Sequence, residues 1–215
     1  MDVLSQLAAA TLVPVVVLHD AADADGLAGA LVAGGLPVAE VTFRTPAAAD
    51  SIRAMADRGD ILVGAGTVLT PAQVDTAVAA GAQYVVSPGT SRAVIERCQE
   101  HGIAVLPGAV TATEIQAALE LGLTTMKFFP AGTSGGAPAI VALSAPFGGV
   151  QFVPTGGVGP ANLGDYLALP SVVAVGGSWM VPAATVAAHA FATITDLTTT
   201  AVELARSLRP AAASA

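Results

Sequence analysis

The chain is predicted to be an α/β protein, a single-domain (β/α)8 TIM barrel with an extra N-terminal helix. Three observations carry this. Eight short β-branched runs alternate with eight Ala/Leu-rich stretches, and such alternation implies parallel strand pairing. The runs are apolar along their length, as strands covered on both faces must be. Eight strands close a barrel, and 215 residues lies near the lower size limit of that fold. An open doubly wound sheet is the alternative. It calls for a Gly-rich turn after the first strand, and VVVLHDAAD is not one.

Strands are expected at 13–18, 38–43, 61–66, 84–88, 104–109, 124–130, 151–156 and 172–177. Helices are expected near 23–34, 46–57, 71–80, 91–101, 111–121, 136–145, 160–168 and 182–207. Thr70-Pro71 and Thr111 with Glu114 read as helix starts. Glycines at 34, 81, 102 and 122 read as helix stops. Residues 1–12 are expected to form the extra helix, closing the bottom of the barrel. No linker appears, so one domain is expected over 1–209, with 210–215 a frayed tail.

Composition excludes several classes of function. With 53% hydrophobic and 11% charged residues, a sizeable core is expected and disorder is not. A formal charge of −8 argues against nucleic acid or an anionic membrane as partner. Glycine and proline break up the apolar stretch from 128 to 195, so no membrane span is expected there. The single cysteine, Cys98, excludes an internal disulfide. The start, Met1-Asp2-Val3-Leu4, lacks the basic and long apolar regions of a signal peptide. A cytoplasmic location is expected.

The chain has one lysine, Lys127, inside the apolar run Thr125-Met126-Lys127-Phe128-Phe129. Burial disfavours an ammonium ion and frees the amine as a nucleophile toward carbonyls. The alternative is a lysine whose stem packs while its head reaches water. Side chains on a strand alternate, so Glu40, Thr42 and Arg44 share one face of the second strand, opposite Val41 and Phe43. That polar trio is expected to point into the barrel, and by the same parity Thr125, Lys127 and Phe129 share a face. An amine and a carboxylate converging in a dry barrel mouth suit covalent catalysis on a ketone. Arg44 can grip a substrate carboxylate at two points. A purely structural buried ion pair between Glu40 and Lys127 is the other reading.

Glycines mark the strand ends. Thr155-Gly156-Gly157 follows the seventh strand and Gly176-Gly177-Ser178 the eighth, the usual barrel position for a bound phosphate. Gly64-Ala65-Gly66-Thr67 after the third strand would let a ligand approach the backbone, with Thr67 offering a hydroxyl. Ordinary tight turns are the alternative for each. His19, His101 and His189 show no metal-ligand spacing, which disfavours a zinc-dependent reaction. Cys98 reads as a small buried residue, and Trp179 as packing at the corner of the eighth strand.

EVTFRT (40–45), GAGTVLTP (64–71), SPG (87–89), KFFPA (127–131), PTGG (154–157) and GGSWMVP (176–182) occur in this order. Together they resemble the 2-keto-3-deoxy-6-phosphogluconate (KDPG) aldolase family, over about residues 13–182. The resemblance implies a class I aldolase barrel, commonly trimeric, that splits KDPG into pyruvate and glyceraldehyde 3-phosphate in the Entner–Doudoroff pathway. It also implies activity on 4-hydroxy-2-oxoglutarate (KHG) in many members. By motif, Lys127 matches the Schiff-base lysine and Glu40 the general acid/base. Arg44 and Thr67 match the grip on the pyruvate carboxylate, Pro88 and Phe129 the wall around the imine. Thr155, Gly156, Gly157, Gly176, Gly177 and Ser178 fall at the phosphate end. No metal and no organic cofactor is expected; the partners are a small 2-keto acid and two further copies of the chain. Members often carry an Arg or Lys near the end of the first strand, where Val17-Leu18-His19-Asp20 supplies only a histidine.

Three alternatives stay open. One is an aldolase for 2-keto-3-deoxy-6-phosphogalactonate or an unphosphorylated acid, although Ser178 resembles the gluconate-type enzymes. The others are a pyridoxal-phosphate enzyme built on Lys127 and a non-catalytic phosphate-binding barrel.

Overall fold

Residues 1–209 are described by the computed structural model; the expected tail at 210–215 lies outside them. After helix α1 (Val3–Ala10), strands alternate with helices as far as β8. The order is β1 (Leu12–Val16), α2 (Asp23–Ala33), β2 (Val38–Thr42), α3 (Ala48–Arg58), β3 (Leu62–Gly66), α4 (Pro71–Ala79), β4 (Tyr84–Val86) and α5 (Arg92–Glu100). Then come β5 (Ala104–Leu106), α6 (Ala112–Glu120), β6 (Thr125–Phe128), α7 (Gly136–Ser144), β7 (Gln151–Pro154), α8 (Leu163–Leu167) and β8 (Val175–Gly177). Helices α9 (Ala183–Ala187) and α10 (Phe191–Leu208) complete the described chain.

Six strands form a curled parallel sheet in the order β5-β4-β3-β2-β1-β8, and β6 pairs in parallel with β7. Isolated bridges link Gly108 to Lys127, Phe152 to Val172, and Thr155 to Gly176. Alternation sorts the strand residues into two layers. Ala39, Val41, Val63, Ala65, Val85, Met126 and Phe128 pack outward into the main core. Val13, Val38, Leu62, Tyr84, Val86, Leu106 and Val153 form an inner cluster, joined by Leu7 of α1. Glu40 and Lys127 fall on the inner parity, as expected from the opposite placement of Val41 and Phe128.

Local signals explain the element ends. Thr70 accepts from the Gln73 N–H and precedes Pro71, and Thr111 with Glu114 forms a complete capping box. The stretch expected as one helix over 182–207 is instead two. His189 takes a positive φ of 52°, and the chain turns there so that α10 lies across α2. Phe191 sits over Gly26 and Thr198 over Gly34, at distances that leave no room for a Cβ on either glycine. No glycine or proline marks this break, so the sequence pattern runs straight through it.

Candidate active site

Every expected site residue lies at the middle of a strand, toward its C-terminal end or just beyond it. Glu40 comes from β2 and Lys127 from β6. Lys127 Nζ donates to Glu40 Oε1 at 2.9 Å, and the two residues are 5% and 2% exposed. The lysine head therefore does not reach bulk water. Phe129 lies beneath the amine, its ring centroid 5.3 Å from Nζ, within the range where a ring face attracts a cation.

Gly66 explains how the carboxylate reaches the lysine. A Cβ at that position would fall 2.3 Å from Glu40 Oε1 and 2.8 Å from its Cδ. One step earlier on the same face, a Cβ at Gly64 would fall 2.3 Å from the Tyr84 ring. The GAG run thus makes room for two protein side chains, not for a ligand against the backbone. Tyr84 fills the lower slot, and its hydroxyl donates to the carbonyl of Ala39 at 2.8 Å, next to Glu40. Burial pushes the Tyr84 phenol well above its ordinary pKa, and the Glu40 charge adds to the shift.

A cavity of about 140 Å³ opens beside Phe129, lined also by Val15, Arg44, Thr155, Gly156, Gly157, Val158, Gly177 and Ser178; Glu40 and Lys127 lie outside its lining. Among the described residues Arg44 is the one cation lining it; its Nε donates to Thr67 Oγ1 at 3.2 Å. That bond uses the oxygen of Thr67 and leaves its O–H free to donate. Thr67 holds a positive φ of 56°, unusual for a β-branched residue and found mostly where surrounding structure enforces it. Thr42 turns inward as expected but is spent on the Val16 carbonyl at 3.0 Å.

Some expected residues lie behind the cavity wall. Gly176 lies behind Thr155, whose hydroxyl occupies the space a Cβ there would need. Pro88 is outside the cavity lining, its carbonyl pressed against Gly108, the residue bridged to Lys127. Gly177 is required by Trp179, whose ring lies where a Cβ would stand, so the tryptophan packs the strand corner as expected. His19 is exposed and does not line the cavity, and β1 contributes only Val15 to the lining. Val15 shares parity with the inward Val13, a signal the sequence did carry. Burial pushes the Cys98 thiol up to about 12, as suits a packing residue. His101 contacts Asp75 and His189 contacts Asp23, in separate places. No helix among the described residues is long and apolar enough to cross a membrane.

The family described as Aldolase: KDPG and KHG aldolase matches residues 3–197. A 2-dehydro-3-deoxy-phosphogluconate aldolase of Treponema pallidum (strain Nichols) is 50% identical, covering 86% of this chain and 89% of that protein. The KHG/KDPG aldolase of Escherichia coli (strain K12) is 45% identical, covering 94% of this chain and 95% of that one. A crystal structure of KDPG aldolase from Legionella pneumophila, with pyruvate captured at low pH as a covalent carbinolamine intermediate, superposes with a TM-score of 0.89. It is 41% identical and covers 92% of this chain and 96% of that one. Similarity of this depth along nearly the whole length, with the motif residues gathered at one end of the strands, places the chain in the KDPG and KHG aldolase family.

Proposed function

We propose that the protein is a class I aldolase that cleaves KDPG to pyruvate and glyceraldehyde 3-phosphate. The observation that carries this reading is the buried contact of 2.9 Å between Lys127 Nζ and Glu40 Oε1, with Phe129 lying between the amine and a glycine-lined cavity that holds Arg44. A carbinolamine requires a protein amine, and Lys127 is the only lysine in the chain.

The chemistry follows from the positions. Lys127 adds to the C2 ketone, and the carbinolamine loses water with a proton supplied by Glu40, leaving an iminium. Glu40 then removes the C4 hydroxyl proton as the C3–C4 bond breaks. The electron pair flows to the iminium nitrogen, giving an enamine and releasing glyceraldehyde 3-phosphate. Glu40 returns the proton to C3, and water hydrolyses the new iminium to pyruvate and free Lys127. Arg44 and the Thr67 hydroxyl hold the carboxylate at C1. Gly156, Gly157, Gly177 and Ser178 receive the phosphate, beside the buried Thr155 that lines the same cavity. Phe129 shapes the wall around the imine, with Pro88 supporting the Lys127 strand from behind through Gly108.

KHG, which would yield pyruvate and glyoxylate, is a second substrate on this reading, supported by the KHG/KDPG name of the Escherichia coli relative. We further infer a closed (β/α)8 barrel over 1–209 as one domain, its bottom covered by α1. The three isolated bridges and the place of Leu7 in the inner cluster support this. A homotrimer in the cytoplasm completes the proposal. Pyruvate release from KDPG, followed through a coupled reduction, is the test. Wild-type protein should turn over and Lys127→Met should not; release by both or by neither would contradict the assignment.

A further inference from the structure

The loop after β7 has a feature that the catalytic chemistry does not use. Gly156 and Gly157 both hold positive φ, 89° and 76°, and the carbonyl of each is anchored separately. The Gly132 N–H donates to the Gly156 carbonyl at 2.8 Å. Asn162 Nδ2 donates to the Gly157 carbonyl at 2.9 Å, while Asn162 Oδ1 accepts from the Gly159 N–H at 2.9 Å. Asn162 stands at the N-cap of α8, where asparagine ordinarily accepts from its own helix. Here it makes no such bond. Both ends of its amide are committed to the loop instead.

In a trans peptide the C=O and N–H point opposite ways. Anchoring the Gly156 carbonyl therefore sets the Gly157 N–H, and anchoring the Gly157 carbonyl sets the Val158 N–H. Among the described residues neither N–H meets a protein acceptor, and both residues line the cavity. Successive N–H groups in such a turn make a concavity for an anion.

We propose that Asn162 is a positioning residue for substrate selectivity: it aims the Val158 N–H at the phosphate of a phosphorylated 2-keto acid. The assignment rests on the proposed aldolase function. Its effect is confined to one end of the substrate. The phosphate sits on C6, the third carbon past the cleaved C3–C4 bond, whereas KHG ends in a carboxylate at C5, attached to C4 and short of that position.

The test is steady-state kinetics of wild type, Asn162→Ala and Asn162→Ser on both substrates. Losing one oriented donor should raise KM for KDPG about tenfold, with KM for KHG changed less than about threefold. Asn162→Ser, whose single hydroxyl can serve one of the two loop partners, should fall between and guards against a misfolded alanine variant. Equal loss on both substrates, or an unchanged KM for KDPG, would overturn the assignment. Wild-type protein inactive on both would overturn the aldolase reading itself, and the selectivity role with it.

Discussion

Glu40 and Lys127 are both buried, and each has the other as partner. Such a pair recovers its desolvation cost only when the geometry is close, and here the geometry depends on a missing side chain at Gly66. Gly66→Ala inserts a Cβ that must displace the carboxylate. Misplacing a catalytic group by about 1 Å costs on the order of 10²-fold in rate. We expect kcat for KDPG to fall by about that factor in Gly66→Ala, with the circular dichroism spectrum retained. If the displaced carboxylate is the cause, Glu40→Gln and Gly66→Ala/Glu40→Gln should be almost equally slow, because coupled changes do not add. Fully additive losses would show that Gly66 acts by another route.

At the scale of elements, caps and parity decide most of what forms. The α6 capping box satisfies donors at both ends of a short reciprocal contact, so Thr111→Ala should cost about 1 kcal/mol, read as a lower denaturation midpoint with unchanged m-value. An unchanged midpoint would mean that α6 is held by packing alone. Thr111 with Glu114 was legible in the sequence because the device is local. So were Glu40 and Lys127: a charge inside an apolar strand has only the inner face to occupy. Asn162, the break at His189 and the occupant of Gly66 were not legible. The last two depend on neighbours distant in sequence, α2 beneath α10 and β2 beside β3; Asn162 depends on a turn whose two positive-φ glycines bring the Gly157 carbonyl back to it. The GAG run shows the difference well, since a glycine announces space without naming what fills it.

Across the whole molecule, the two ends of the described chain are tied together. Arg209 donates to the carbonyls of Ala8 and Val173, each at 2.8 Å, and to the hydroxyl of Thr11. One side chain thus joins the last helix to α1 and to the approach to β8. Hydrogen bonds from a charged donor contribute about 2 kcal/mol together when partly buried, so Arg209→Ala should lower Tm by roughly 4–8 °C. A Tm within about 1 °C of wild type would mean that the tie is idle in solution. The strand-end chemistry needs this frame but is tested apart from it. The decisive measurement is borohydride reduction in the presence of pyruvate, followed by intact mass and peptide mapping. With one lysine in the chain, the N-terminal amine is the only competing primary amine. A reduced pyruvyl adduct on the Lys127 peptide is the expected result, absent in Lys127→Met. Folded wild-type protein that forms no adduct there would contradict covalent catalysis at the β2–β6 pair.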